Sequence, residues 1–408
     1  MLEVVALSSL RYDTNRAGDL GALLAPPYDV IDEAERAALE SRSAYNAVHL
    51  ILPRGEGDAK YARAAEALRG WRARGVLRAE PPALWLYRQS CPTPRGEIVR
   101  SAILCGVRLR PYEERTVLPH ERTHAAPKED RYRLKMATRA HLSPFLALYD
   151  DAAGEVGRAL TADAAADRSP DADARTPDGQ RHRLTRLRAE TAEAIGRALA
   201  KRHLIIADGH HRYDTMLRLH REIGSDESGI GFGCIVRLQD EGLVVWPTHR
   251  LALGRLDAAA FLARSATLLA VEERPLASPT AIEEVIAAKR AQAPSFALVP
   301  ASRERVFYLS LRVDADVGDV PAALRNVEAA LLEKALAALG PPTWSIAYTH
   351  DAGEALARLA AGEAAAAFIL GPARVSDVLA VAEAGLSMPQ KSTFFHPKVP
   401  TGLLFHPF

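Results

Sequence analysis

One junction constrains the chain more than any other. Residues 203–217 read HLIIADGHHRYDTML. An apolar strand over His203–Ala207 runs into Asp208 and Gly209, and a helical pattern follows at once, with Met216, Leu217 and Leu219 at its apolar positions. Gly209 lets the backbone turn tightly and come close to a ligand. A helix N-terminus offers unpaired N–H groups and the positive end of the helix dipole, which suits a phosphate or a carboxylate. His210, His211 and Arg212 add side-chain donors there, and Tyr213 follows in the same turn. The order strand, glycine, basic residues, helix therefore reads as an anion cradle. The plainer alternative is that Asp208 caps the helix and the histidines rest in ordinary polar contacts.

Charge bears on which anion. Lys and Arg total 52 against 51 Asp and Glu, a formal net charge of +1, whereas a general nucleic-acid binder is basic at least locally. No nucleic-acid partner is expected. A length of 408 residues calls for two or three domains, and 48% hydrophobic with 25% charged residues is the composition of a globular chain with a sizeable core. Cys91, Cys105 and Cys234 are widely spaced, with no CxxC and no Cys/His zinc spacing. Buried reduced thiols are expected, in a reducing compartment such as the cytoplasm. The opening MLEVVALSSLRYD lacks a basic and then apolar leader pattern. No apolar run approaches the ~18 residues of a membrane span, so neither a signal peptide nor a membrane partner is expected.

Patterning divides the chain into three regions: 1–160, mixed α/β; 161–250, carrying the box; and 251–408, α/β and ending in an unusually polar segment. Ala83–Gln89 and Arg100–Arg110 alternate as strands and are expected to pair antiparallel. Gly231–Arg237 and Gly242–Trp246 read as another strand pair, and Ala164–Gln180 reads as a linker. Helices are expected over Lys128–His141, Leu187–Ala200 and Pro321–Leu339.

Three further stretches carry chemistry-bearing residues. In LPHERTHAAPKEDRYRL (118–134), His120, Glu121, His124, Glu129, Asp130 and Arg131 crowd together. Carboxylates beside histidines serve as general bases or bind Mg²⁺ indirectly. The letters H-E-R-T-H match HExxH, but that zinc motif needs a helix. Pro119 before it and Ala-Ala-Pro after it argue against one, and a solvated charge cluster is the alternative. In MPQKSTFFHPKVPTGLLF (388–405), Gln390, Lys391, Ser392, Thr393 and Lys398 gather donors without the glycines of a phosphate loop. A docked C-terminal strand is the alternative there. In LLAPPYDVID (23–32), Pro26 and Pro27 fix the backbone and set Tyr28 and Asp29 on a rigid loop or simple turn.

Taken together, APPYDVI, HERTHAAPKEDRYRL, IADGHHRYDTML and MPQKSTFFHPKVPTGL, in that order, resemble the bacterial and archaeal domain of unknown function family 1015 along nearly the whole chain. The box alone is similar to the signature of the ParB/sulfiredoxin superfamily. That resemblance implies a mixed α/β fold with a ParB/sulfiredoxin-like core, large family-specific insertions and additional α/β segments. His210 stands where sulfiredoxin chemistry needs a cysteine, and no helix-turn-helix of a partitioning protein is evident. Free serine kinases of the superfamily carry D-G-H-H-R, matched here by Asp208–Arg212. The resemblance implies a catalytic role for Asp208 and phosphate binding by Gly209, His210, His211 and Arg212. For the second catalytic acid, Asp29 is the candidate by position and Glu121 by chemistry.

The expected activity is a phosphotransferase acting on a small hydroxylated metabolite, free L-serine first, with ATP, ADP or pyrophosphate as donor and Mg²⁺ bridging phosphate oxygens. Lys391 and Lys398, with Ser392 and Thr393, would neutralise the transferred group. His120, His124, Arg131, Tyr28, Tyr213 and Gln390 complete the candidates. Two other readings use the same cradle: a CTP-dependent regulatory switch without metabolite chemistry, and a phosphatase or other hydrolase.

Overall fold

The computed structural model describes all residues except 94–95, 122–124, 166–167 and 319, and only the backbone of 125–127. Its described residues form a mixed α/β fold in two compact units. The first consists of Met1–Pro119, Thr123–Val244 and Pro397–Phe408, and the second of His120–Arg122 and Val245–His396.

The first unit is built on a nine-stranded mixed sheet. Its order runs Val117–Leu118, Leu204–Asp208, Phe145–Tyr149, Ile230–Arg237, Gly96–Arg108, Trp85–Thr93, Arg181–Arg186 and Ala172–Arg175, with Val4–Val5 also on Gly96–Arg108. Sequence regions 1–160 and 161–250 thus feed strands into one sheet. Leu204–Asp208 is parallel to Val117–Leu118 and antiparallel to Phe145–Tyr149. Phe145–Tyr149 and residues 204–207 are buried, as central strands covered on both faces should be. The expected pairing of Trp85–Thr93 with Gly96–Arg108 is present, from Trp85 opposite Leu104 to Thr93 opposite Gly96.

The last residues of the chain are woven into this unit by non-local ladders. Leu10 N–H donates to Phe405 O at 2.7 Å and Phe405 N–H to Leu10 O at 3.0 Å. Ala25 and Thr401 exchange a second such pair at 3.1 and 2.8 Å. His406 pairs with His141 in a short two-stranded sheet.

The second unit holds a six-stranded antiparallel sheet, ordered Leu269–Pro275, Arg305–Leu311, Ser295–Pro300, Ala366–Leu370, His249–Gly254, Trp344–Thr349. Helices Pro279–Arg290 and Ala352–Ala360 cover it, and Leu251, Ile282, Ile286, Val299, Ala355 and Ile369 meet in its core.

Several local expectations change. Ile230–Arg237 does not pair with Gly242–Trp246; it sits between Gly96–Arg108 and Phe145–Tyr149, and Val244–Trp246 pairs with Phe394–His396. Six of the eight residues in Ile230–Arg237 are buried, so this strand needs a partner on each side, and a local hairpin supplies only one. Within the expected linker, Ala172–Arg175 is a strand whose alternate residues Ala172 and Ala174 face inward. Alanine is too weak a hydrophobic signal to expose that period in sequence. The helix expected over Lys128–His141 spans Ala125–Thr138 and is followed by Arg139 in the left-handed region. The expected helix 321–339 resolves into a short turn, Ala322–Leu324, and the helix Glu328–Ala337.

Candidate functional site

The box lies where strand Leu204–Asp208 gives way to helix His210–Ile223. The residue at the turn, Gly209, has φ +88°, a conformation that costs a side-chain-bearing residue about 1–2 kcal/mol. A second constraint acts on the same atom. A Cβ at Gly209 would come within 2.7 Å of Arg212 Nε and 3.0 Å of its Cζ. The glycine therefore makes room for the guanidinium of Arg212, which folds back over the turn. Asp208 does not cap the helix: Gly209 is the cap residue, with no side-chain cap bond. Instead the Asp208 carboxylate accepts from Arg212 Nη2 and, at 2.5 Å, from Lys398 Nζ. Arg212, 5% exposed, donates its other terminal nitrogen to Pro144 O. Burial alone would raise the Asp208 carboxyl, but Lys398 and Arg212 together hold it well below the usual carboxylate range.

Lys398 reaches Asp208 because the ladders at Thr401 and Phe405 fix the segment behind it, and because Gln89 Nε2 donates to its carbonyl at 2.9 Å. Another cation, unnoticed in the sequence, backs the cluster. Lys135 comes from the helix Ala125–Thr138, which packs on the box helix. Its Nζ donates to Arg212 O at 2.9 Å and Thr215 Oγ1 at 3.2 Å. Burial, then Arg212 and Arg131, pushes its pKa well below the usual lysine range. A signal for it exists. Eight of the 52 basic residues are lysines, so lysine is a scarce letter against an arginine background. Of the eight, Lys128, Lys135 and Lys398 pair with residues of the box or of its helix, namely Asp214, Arg212 and Asp208.

A second charged group lies beside the first. Arg131, 6% exposed, donates to Ile51 O at 2.6 Å and to Asp130 Oδ2 from Nε at 2.9 Å. Its guanidinium stands 4.2 Å from the centre of the Tyr28 ring. Asp130 also accepts from Lys60 Nζ at 2.7 Å and Tyr61 OH at 2.8 Å. Burial opposes ionisation of Asp130, yet Arg131 and Lys60 bring its pKa down to about 2. The Tyr28 hydroxyl is raised by burial first and then by Asp29, and it also senses Arg131, Arg212 and Asp208. Four separate sequence segments thus meet here, supplying Tyr28, Arg131, the Asp208–Arg212 pair and Lys398. His210, 8% exposed, contributes to the field at Asp208. His211 is half-buried one residue further along the box helix, and Asp29 is exposed on the turn beside Tyr28. Tyr213 is an anchor, fully buried, with its hydroxyl donating to Arg110 O at 2.9 Å and accepting from Arg110 N–H at 3.1 Å.

The other candidates belong to the second unit. His120, fully buried, contacts Thr393 Oγ1 through Nε2 at 2.9 Å, and its carbonyl accepts from Met388 N–H at 2.7 Å. Glu121 Oε1 accepts from Lys391 N–H at 3.3 Å, and Lys391 has φ +55°. Ser392 Oγ donates to Pro389 O at 2.6 Å, and Gln390 O accepts from Arg250 at 3.4 Å. Of the letters HExxH, His120 and Glu121 precede the helix, which begins at Ala125. His124 lies outside the described residues. Among the described residues no group of three or more His, Cys, Asp or Glu side chains is placed to hold a metal ion. No described helix is long and apolar enough to cross a membrane.

Comparison with known proteins adds the following. The profile of the family described as "Protein of unknown function (DUF1015)" matches residues 4–329. No curated protein matches the chain. Among solved structures, a conserved hypothetical protein from Pyrococcus furiosus is similar over 70% of this chain and 90% of its own, at 17% identity and a TM-score of 0.37. A free serine kinase in complex with AMP is similar over 71% and 89%, at 16% identity and a TM-score of 0.36. SbnI with a C-terminal truncation, from Staphylococcus aureus, is similar over 72% and 84%, at 11% identity and a TM-score of 0.36. These are remote likenesses.

Proposed function

The chain belongs to the DUF1015 family of proteins of unknown function, and from that premise we propose that it is a phosphotransferase acting on a small hydroxylated metabolite, with free L-serine as the acceptor and ATP, ADP or pyrophosphate as the donor. The observation that carries this reading is the Asp208 carboxylate bridged by Lys398 and Arg212 at the start of the box helix. One carboxylate shared by two cations, beside a helix N-terminus, supports a place for an incoming anion.

Phosphoryl transfer asks for positioning and charge neutralisation more than covalent help. In the reading proposed, the donor's phosphates draw Lys398 and Arg212 toward themselves. The cations that depress the Asp208 carboxyl are then shared with the phosphate oxygens, and its proton affinity rises toward a value useful to a general base. The acceptor oxygen attacks the terminal phosphorus, and its hydroxyl proton passes to an Asp208 oxygen. The bond from phosphorus to the bridging oxygen breaks, and the shortened donor leaves with that electron pair. Arg131, held against Tyr28 and Asp130, adds fixed positive potential nearby. Mg²⁺, entering on the donor's phosphates beside Asp208, would supply further charge neutralisation.

The test is phosphorus NMR of the purified protein with Mg²⁺, L-serine and each donor in a separate tube. Phosphoserine formation, abolished in Asp208→Asn, is the expected result. Donor hydrolysis with no phosphoserine would replace the kinase by a hydrolase, and nucleotide binding without turnover would replace it by a binding switch.

A further inference from the structure

The first unit contains a cavity of about 150 Å³ that reaches Lys398. Three elements line it, each for a local reason. Pro26 and Pro27 form one wall on a fixed backbone. The helix Glu33–Arg42 supplies Glu35, Leu39 and Arg42, spaced four and three residues apart and so on one face. The turn Thr176–Gln180, between strands Ala172–Arg175 and Arg181–Arg186, supplies Asp178. His182, 2% exposed, also lines it, with its Nδ1 2.8 Å from Tyr87 OH.

Size decides what can enter. Pockets for drug-sized ligands start at about 300 Å³, twice this volume, so a nucleotide does not fit and a molecule of a few heavy atoms does. Charge decides its class. Glu35 and Asp178 share the cavity with Arg42 and His182, and neither carboxylate has a salt-bridge partner among the described residues. Asp178 is partly satisfied, accepting from Thr176 Oγ1 at 2.5 Å and from Gln180 Nε2 at 2.7 Å. Among the described residues no hydroxyl or amide donates to the Glu35 carboxylate, and its N–H is bonded to the Asp32 cap at 2.8 Å. A glutamate in the first turn of a helix is ordinarily favoured as an anion by the dipole. Here burial, Asp32 and Asp178 outweigh that and Arg42, and raise its pKa.

We propose that this cavity is the acceptor subsite, taking the ammonium group of a small amino-bearing alcohol or amino acid at Glu35 and Asp178, with Arg42 available to its carboxylate and its hydroxyl directed toward Lys398 and Asp208. The assignment rests on the phosphotransferase reading for the direction of the hydroxyl, but not for the selection of an amine. Glu35 is then a specificity-determining residue on an exposed helix face, where substitution leaves the fold intact.

Saturation-transfer NMR on the full chain tests it with three probes: L-serine, ethanolamine and 3-hydroxypropionate, which keeps the hydroxyl and carboxylate of serine and lacks its ammonium. L-serine and ethanolamine should bind and 3-hydroxypropionate should bind at least about tenfold more weakly, the worth of a charge-assisted contact. Glu35→Gln should erase most of that difference while ADP binding stays as in the parent chain. 3-Hydroxypropionate binding as well as L-serine, or Glu35→Gln keeping full preference, overturns the assignment. So does the failure of both amines to bind at up to about 10 mM, an order above the usual range of KM. The two readings fail separately. Amine selection by Glu35 without any phosphoserine sinks the kinase and leaves the subsite. Phosphoserine formed by Glu35→Gln at unchanged KM sinks the subsite and leaves the kinase.

Discussion

Arg212 in the first unit and Arg290 in the second each lie over a glycine, and their surroundings differ in charge. In the second unit Arg290 crowds Gly371 and meets Glu328 twice, Nε to Oε1 at 2.6 Å and Nη2 to Oε2 at 3.2 Å, with a further bond to Pro372 O at 2.8 Å. Arg290 and Glu328 are 10% and 5% exposed at the side chain. One buried cation meets one buried anion in a two-point geometry, and the pair is complete. In the first unit Arg212 crowds Gly209, but its partner Asp208 is shared with Lys398, and Lys135 lies behind on the Arg212 carbonyl. Similar local devices therefore yield a one-to-one pair in one place and a carboxylate shared between two cations in the other. A buried ion pair by itself says little about function, since desolvation offsets much of its attraction. The sharing of one carboxylate is the informative feature.

Substitutions can break or sharpen that contrast. The largest effect is expected on turnover. Asp208→Asn should lower phosphoserine formation by roughly a thousandfold or more, whereas Glu328→Gln should leave it unchanged; steady-state assay of both variants checks this, and equal losses would erase the distinction. Stability should behave alike in the two places. Glu328→Ala and Asp208→Ala each strand a buried guanidinium, and each should cost about 3–5 kcal/mol in denaturant unfolding.

The glycines give a smaller, graded effect. Gly209→Ala pays for a left-handed backbone, about 1–2 kcal/mol, and also displaces Arg212. It should weaken ADP binding as well as lower the melting temperature. Gly371→Ala has only the crowding of Arg290 to overcome and should alter melting alone. The smallest effect is in the pH dependence. The carboxyls of Asp130 and Asp208 are depressed in the folded state, so each contributes stability that is full above the ordinary carboxylate value and is lost as pH falls through the folded one. For Asp130 that window runs from about 4 down to about 2. Circular dichroism on acidification should show Asp130→Asn less stable than the parent at neutral pH, with the gap closing across that window.

How much of this was readable in the sequence varies with the range of the interaction. The strand-to-helix turn at Gly209 was readable because an apolar run, a glycine and a helical period lie within fifteen letters. The antiparallel partners Trp85–Thr93 and Gly96–Arg108 were readable because a short turn joins them. Pro119 and the Ala-Ala-Pro after His124 argued against a helix there, yet Ala-Ala-Pro opens the helix Ala125–Thr138, since proline is tolerated in a first helical turn. Ala172–Arg175 was not readable, since alanine gives a weak pattern, and the pairing of Val244–Trp246 was not, since its partner Phe394–His396 lies far along the chain. Lys135 was overlooked because a lysine in an amphipathic helix looks like any solvated charge until the neighbouring helix covers it.

The sequence by itself determined the local chemistry: a strand ending in Asp-Gly, a helix opening with basic residues, a rigid Pro-Pro loop. Those follow from backbone sterics and from periodicity, which act over a few residues. Only the tertiary structure decided that Lys398 pairs with Asp208 across 190 positions, that Arg131 lies on Tyr28, and that Arg212 fills the space over Gly209. Those contacts depend on which distant segments share a buried sheet and on which cations the low-dielectric interior leaves beside one carboxylate, and no short window of letters contains either.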